Sequence, residues 1–571
     1  METEKIIEIK IPRDTVEIYL PDGRTYRGKR DLPIIEFMKA LPEWKNPPIV
    51  GAVVDGELRE LTFPIKKDSN VKPVTMSDSD GSKIYRRSLV FLLQASFEDV
   101  FPKLELTVDY SVPSGGYFCT VKNHSPLKQN AVQKIENRMR EIVKKDLPIK
   151  REVVTLDEAK EYFKRKKYED KLQLLKYRRK PDLVLYQLED NRDYHHGYMV
   201  PSTGFLTVFA LVPVEEGFIL QYPRRKTPTR LLPMPKYAKL RGIFQQYGNW
   251  LSSLGIDSVG SLNDAILNNG IHEVILVSEA LHEQKISEIA TQIANSKPEK
   301  KLILIAGPSS SGKTTFSKRL AIQLLTHGIK PFALEMDNYF VDREKTPLDE
   351  EGKPNFEVFE AVDRILLERD LLHLMDGKEV QLPKFNFHEG KSEPGEVVKI
   401  LKDQVIIMEG IHGLNTALLT EFPPRKIFRI YISCLTQLNL DRFNRISTTD
   451  TRMLRRVVRD SWARGFTAQR TISLWESVRR GEREYIFPYQ ENAHAIFNSA
   501  LVYELAALKP FAEPLLRQIP FGTDEYREAK RLLAFLNWFI PIEQDLIPDN
   551  SILREFVGKS ILADFKIWNH N

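Results

Sequence analysis

The stretch Leu302-Ile-Leu-Ile-Ala-Gly-Pro-Ser-Ser-Ser-Gly-Lys-Thr-Thr315 decides the fold of the C-terminal half of this chain. Five apolar residues in a row, Leu302 to Ala306, read as a buried strand of a parallel sheet. The loop Gly307-Pro-Ser-Ser-Ser-Gly-Lys-Thr314 follows at once, with the two glycines, lysine and hydroxyl spaced as in a phosphate-binding loop. Beyond it Phe316, Leu320 and Leu324 recur every four residues, one face of a helix that ends at His327-Gly328. Strand, glycine loop and helix together make the motif credible.

The chemistry requires these residue types. The glycines let backbone N–H groups turn inward around phosphate oxygens, and the helix adds its positive N-terminal dipole. The nucleotide contacts are therefore expected at Gly307, Pro308, Ser309, Ser310, Ser311, Gly312, Lys313, Thr314 and Thr315. Lys313 supplies a mobile positive charge for the β and γ phosphates of ATP, and Thr314 a hydroxyl for Mg²⁺.

Two further strands place acids beside this loop. Lys330-Pro-Phe-Ala-Leu-Glu-Met336 delivers Asp337 at its carboxyl end, and Gln404-Val-Ile-Ile-Met408 delivers Glu409-Gly410. In doubly wound α/β sheets the ligand sits beyond the carboxyl ends of the strands. One acid is expected to hold Mg²⁺ and the other to accept the proton of an attacking hydroxyl. Five arginines, Arg452, Arg455, Arg456, Arg459 and Arg464, crowd the next helical stretch, with Arg452, Arg455 and Arg459 on one face. Guanidinium groups bind phosphate oxygens in pairs, so this stretch is expected to be a lid that closes over ATP.

With these elements together, residues 300–515 resemble the uridine kinase and phosphoribulokinase group of P-loop kinases. The resemblance rests on Gly307–Thr314, Met336-Asp-Asn-Tyr-Phe340, Asn355-Phe-Glu357, Glu409-Gly410 and Arg455-Arg-Val-Val-Arg-Asp460. It implies that Asp337 is the catalytic base for a nucleoside 5′-hydroxyl and that Lys313 neutralises charge. It places Tyr339, Glu357 and the segment around Phe385 at the acceptor site, Thr314 and Glu409 at Mg²⁺, and Arg456, Arg459 and Arg464 in the lid. Several positions depart from the family pattern. Glu357 stands where Asp is usual, Phe385 where Tyr is usual, His388 is displaced, and Phe466 and Leu474 replace an arginine and a glutamine. Hydrogen-bonding groups that read a base edge are thereby lost. Uridine or cytidine is the first expectation for the acceptor, with a purine nucleoside or sugar phosphate left open.

The N-terminal half reads differently. Residues 5–20 alternate and lead to the turn Pro21-Asp-Gly23, and Ile49–Leu58 repeats the pattern around Asp55-Gly56. This β-rich module ends near residue 80, where Ser77-Asp-Ser-Asp-Gly-Ser82 reads as a linker. An α+β region over 81–235 follows, with helices at Arg86–Phe101 and Ala131–Lys145 and strands at Leu183–Leu188 and Phe205–Val212. A helical stretch over 236–299 ends in the polar boundary Ser296-Lys-Pro-Glu-Lys-Lys301, and residues 516–571 form a helical C-terminal extension with an amphipathic run from Glu525 to Phe539.

Val54-Asp-Gly-Glu-Leu58 and Asp80-Gly81 resemble the TGS module of threonyl-tRNA synthetases, which implies a β-grasp-like fold. Arg87-Ser-Leu-Val-Phe-Leu-Leu93, Gly115-Gly-Tyr-Phe118 and Gly197-Tyr-Met-Val-Pro-Ser-Thr203 resemble the adjoining synthetase domain. The four positions that surround an editing site in that family fall on Arg87, Phe91, His195 and Met199, and one imidazole in four cannot hold a metal. The region is expected to be a retained scaffold. RNA contact through it keeps a regulatory ATPase open as another function class.

Composition bounds the rest. Hydrophobic residues make up 42% and charged residues 28% of 571, and the net charge is only +6, a weak argument for nucleic acid. The basic run Lys164-Arg-Lys-Lys167 reads as a solvated helix face. The two cysteines, Cys119 and Cys434, exclude a disulfide framework and fit a reducing compartment. No stretch approaches the ~18 consecutive apolar residues of a membrane span, so a cytoplasmic protein free of membrane is expected, and the amphipathic run from Glu525 to Phe539 leaves packing on the kinase or a homo-oligomer contact open.

Overall fold

A computed structural model of the chain describes residues 13–566 apart from 114, 235–236, 297–299, 350–351, 353, 387 and 402. Residues 5–12 of the first alternating stretch and 297–299 of the polar boundary thus lie outside the described residues. The chain divides into two units. One holds residues up to 235 together with 439–445 and 520–531, and the other holds the remainder.

The first unit opens with a five-stranded sheet in the order Thr25–Lys29, Thr15–Tyr19, Ser69–Thr75, Ile49–Val54, Glu57–Arg59. The turns at Pro21-Asp-Gly23 and Asp55-Gly56 close the two expected hairpins, and the helix Ile34–Lys39 supplies Ile34, Phe37 and Met38 to the core. The expected linker at Ser77–Ser82 is instead the start of a long helix, Ser79–Val100. Asp78 closes the turn by accepting from the Thr75 N–H at 2.7 Å and the Thr75 hydroxyl at 2.8 Å. Gly81 then lies so close to the Thr75 carbonyl that a Cβ would approach it to 1.9 Å. The glycine that suggested flexibility serves close packing.

A four-stranded antiparallel sheet, Ala210–Val214, Gly217–Gln221, Gly116–Val121, Leu106–Val112, and a three-stranded one complete this unit. The strand expected from Phe205 starts only at Ala210, because Thr203–Phe205 forms a 3-10 turn. The Thr203 hydroxyl fixes it by donating to the Ile142 carbonyl at 2.9 Å and accepting from the Leu147 N–H at 2.8 Å. Arg87, Phe91 and His195 do converge. The His195 and Phe91 rings are 5.3 Å apart, Met199 is buried, and the Arg87 guanidinium packs on Gly197 while donating to the Tyr198 carbonyl. Segment 439–445 joins this unit through Asp441, 3.1 Å from the buried Lys171 ammonium, and Arg442, 2.7 Å from Asp170.

The second unit is built on a five-stranded, all-parallel sheet. Its spatial order is Lys330–Glu335, Gln404–Glu409, Leu302–Ala306, Ile427–Ser433, Ala495–Asn498. The strand Leu302–Ala306 lies centrally, every residue buried, and strand order reverses there. That reversal opens a crevice at the strand's carboxyl end, where the loop after Ala306 begins. Helices Ala238–Ser253, Val259–Leu267 and Ile271–Asn295 belong to this unit. Among the described residues no helix is long and apolar enough to cross a membrane.

Candidate functional site

Sheet register sets the site. Glu335, Glu409 and Ile305 stand in one row across three neighbouring strands, so the segments that follow them leave the sheet at one level. The loop after Ala306 approaches the next strand closely: a Cβ on Gly307 would lie 2.1 Å from the Ile432 carbonyl. Ser310 and Gly312 both take positive φ, 58° and 86°, turning the chain into the helix Lys313–Thr326. Glycine at the N-cap offers no side chain to the first-turn N–H groups, which leaves them to an anion. The Lys313 ammonium curls back over the loop, donating to the Gly307 carbonyl at 3.0 Å and to that of Pro308 at 3.4 Å.

Three acids face this lysine. The Thr314 hydroxyl, exposed on the first turn, donates to Glu409 at 3.1 Å. Burial pushes the Glu409 carboxyl up to about 7, with the positive charge of Lys313 opposing. Glu357 is likewise pushed to about 7 by burial and then by the charge of Glu482, against Arg456 and Lys313. Asp337 stands on the 3-10 turn Met336–Tyr339, two residues beyond its strand. Its side chain stays exposed to solvent, yet the surrounding protein raises its pKa while Lys313 and Arg464 hold it down. Lys313 thus reaches all three carboxylates, with Arg456 sharing Glu357 and Arg464 sharing Asp337. Thr314 and Glu409 offer two adjacent hard oxygen donors, the small protein share that suits Mg²⁺ with water and phosphate oxygens in the other positions.

The arginine-rich helix, Thr448–Ala463, divides into two groups. Arg452 and Arg455 are 1% and 0% exposed and pair with the equally buried Glu482 and Glu504. They also donate to the carbonyls of Ser309 at 3.1 Å and Ser310 at 3.4 Å. The lid expected of this stretch therefore excludes these two, because swinging them out would strand buried carboxylates. They brace the loop from behind. Arg456, Arg459 and Arg464 converge on the buried Asp460 at 3.2, 2.9 and 3.5 Å, and Arg456 also donates to the Ser309 hydroxyl at 2.8 Å.

Two expected acceptor contacts lie deeper than the sequence implied. Tyr339 is 1% exposed with its hydroxyl against Asp370, and Phe385 joins Phe340 and Phe356 in an aromatic core at centroid distances of 5.7 and 5.8 Å. Both sit in the hydrophobic cluster under the site, where their rings gain from burial. Glu482 and Asp460 were not singled out from sequence. Asp460 lies one helical turn from Arg456 and was legible as a pair, whereas Glu482 meets Arg452 thirty residues away with no local signal.

Residues 302–506 match the Phosphoribulokinase / Uridine kinase family. This part of the chain is a domain of that family. It is a P-loop kinase domain, and its loop, Lys313 and strand-end acids are the parts described above. The N-terminal part is similar to threonine–tRNA ligases: the ligase of Paraburkholderia phytofirmans is 33% identical over 204 residues, 36% of this chain and 32% of the ligase. That of Burkholderia vietnamiensis is 32% identical over the same extent. The chain thus spans about a third of the length of these relatives. Among solved structures, a possible uridine kinase from Bacillus stearothermophilus is 18% identical, with 38% of this chain and 98% of that one covered and a TM-score of 0.27. A putative fructose transport system kinase from Silicibacter is 17% identical, with 37% and 98% covered and a TM-score of 0.28.

Proposed function

We propose that the chain moves the γ-phosphate of ATP to the 5′-hydroxyl of a nucleoside, with uridine or cytidine the first choice, giving the nucleoside monophosphate and ADP. The observation that carries this reading is the exposed Asp337 carboxylate beside Lys313 and Glu409 at the mouth of the phosphate loop. Asp337 accepts the hydroxyl proton, and its raised pKa brings it toward the working range of a general base. Lys313 swings from the Gly307 carbonyl to the phosphates, and Arg464 and Arg456, which act on Asp337 and Glu357, add positive charge. Thr314 and Glu409 would hold Mg²⁺, which when bound neutralises charge on the phosphates.

The test is ATP-to-ADP turnover by the full chain with Mg²⁺ against ribonucleosides, deoxyribonucleosides and sugar phosphates. Turnover with uridine or cytidine that collapses in Asp337→Asn supports the reading. Turnover with a different acceptor alone moves it to the second reading, a purine nucleoside or sugar phosphate, which the buried, hydroxyl-free Phe385 favours. ATP hydrolysis without any small acceptor, together with salt-dependent RNA affinity, moves it to a regulatory ATPase, with the synthetase-like part as the RNA contact.

A further inference from the structure

Residues 544–563 lie beyond the family match at 302–506, yet they belong to the same unit and touch the phosphate loop directly. The contact is made by a carboxylate. The Thr315 N–H donates to Glu555 Oε2 at 3.0 Å. Thr315 is the third residue of the helix Lys313–Thr326, whose N-cap is the glycine at 312. Its N–H is therefore one of the orphan donors that the loop would otherwise turn toward a phosphate oxygen. An acid from a distant part of the chain holds it instead.

The rest of the segment keeps Glu555 there. Ile552 packs so tightly on Gly312 that a Cβ on the glycine would come within 2.6 Å of it. The Phe556 carbonyl accepts from the Trp462 indole at 2.6 Å, and its ring lies 4.9 Å from the Arg455 guanidinium. Lys318, one turn along the P-loop helix, donates to the Leu562 carbonyl at 2.6 Å and that of Ala563 at 3.2 Å. The buried Arg554 ties the segment to itself through the carbonyls of Gln544, Ile547 and Pro548. The loop, the arginine helix and the C-terminal segment form one knot around a single donor. The negative charge of Glu555 also reaches Glu409, so it opposes any further anion at this end of the site.

We propose that residues 544–563 are an autoinhibitory strap in which Glu555 stands in for a nucleotide phosphate on Thr315. The strap must leave that N–H before a nucleoside triphosphate seats fully. The inference rests on the reading that the loop takes a nucleotide. It predicts that the chain without ligand is held in a low-affinity form, and that whatever draws the segment away raises affinity for nucleotide without touching the phosphoryl-transfer residues.

The test compares the full-length wild type with Glu555→Gln and Ile552→Ala by titration with MgADP. Replacing a charge-assisted hydrogen bond by a neutral one weakens the competitor, so Glu555→Gln is expected to bind MgADP about tenfold more tightly. Ile552→Ala should shift in the same direction by loosening the seat of the strap. Independently, amide exchange over 544–563 in the wild type should quicken when MgADP is added. Equal affinity in all three proteins, with a lower melting temperature for Glu555→Gln, would make Glu555 a helix cap only and overturn the strap. Weaker binding in Glu555→Gln would overturn it too, by making the acid part of the nucleotide site. If the wild type and both variants fail to bind MgADP at all, the nucleotide reading falls and the strap falls with it.

Discussion

The Thr314 hydroxyl and the Glu409 carboxylate are 3.1 Å apart, joining the first turn of the P-loop helix to the end of the neighbouring strand. That hydrogen bond lowers the Glu409 pKa and burial raises it, and burial wins, leaving the group near 7. If Glu409 holds Mg²⁺ as proposed, protons and Mg²⁺ compete for it at ordinary pH. The apparent affinity for Mg²⁺ with ATP is expected to weaken as pH falls through about 7, and Glu409→Gln should both lower that affinity and flatten its pH dependence. Titration of Mg²⁺ between pH 6 and 8 reads both.

The same raised pKa values bear on stability. A carboxyl whose folded pKa lies above its unfolded value stabilises the fold below the unfolded pKa and loses that contribution as pH rises through the folded one. For Glu409 and Glu357 this window runs from the ordinary carboxyl value to about 7. Glu357→Gln, neutral throughout, is expected to melt higher than the wild type at pH 8, with the gap closing toward pH 4. A gap that widens on acidification would contradict the assignment.

How much of this was legible in the sequence follows from the range of each interaction. The phosphate loop, its strand and its helix lie within 25 residues and were readable because every signal is local. Asp337 and Glu409 were readable because parallel strands end at one level and the register brings Glu335 and Glu409 together. The arginine cluster showed charge but not direction. Periodicity could not tell that Arg452 and Arg455 face buried acids, because Glu482 and Glu504 arrive from separate elements. Gly81 misled for the opposite reason, since a glycine in a polar run signals a loop unless the carbonyl it packs against is known. Glu555 was visible as a residue, but its role depends on where a distant segment is laid down.

The Arg452–Glu482 pair gives a prediction about what holds the loop. Arg452→Met leaves Glu482, 0% exposed, with Arg479 at 3.4 Å and the Ser309 N–H at 3.1 Å but without its close guanidinium partner. Breaking a buried pair from one side costs roughly 3–5 kcal/mol. Thermal unfolding of the variant should show that loss, with poorer nucleotide binding because the Ser309 carbonyl loses its anchor and Glu482, which holds the Ser309 N–H, loses the partner that fixes it. Adding Glu482→Leu to Arg452→Met should recover much of the stability but not the binding, since the stranded charge is gone while the loop stays unbraced.

Gly307→Ala separates loop shape from loop chemistry. The new methyl would meet the Ile432 carbonyl at 2.1 Å, and backbone on both sides leaves neither partner free to give way. The loop must lift from the sheet, carrying Lys313 and Thr314 with it. A misplacement near 1 Å costs about a hundredfold in rate when reacting groups must be aligned. Steady-state kinetics should show that loss in kcat with Lys313, Asp337 and Glu409 all intact.

Gly481→Ala tests whether Glu357 belongs to the acceptor side. Gly481 sits in the helix Trp475–Tyr485, and a Cβ there would lie 2.7 Å from the Glu357 Cβ. Glu357 is on an irregular segment and can yield where a strand could not, so the fold should survive while its carboxylate moves. If Glu357 holds the acceptor, the acceptor KM should rise several-fold while the KM for ATP stays near the wild-type value, because Lys313, Thr314 and Glu409 lie on other elements. Equal rises in both constants would instead place Glu357 in the support of the phosphate loop through its interaction with Arg456 and Glu482. Glu357→Asp, which restores the shorter acid at this position, then decides between them. It should lower the acceptor KM in the Gly481→Ala background only if the carboxylate itself touches the acceptor.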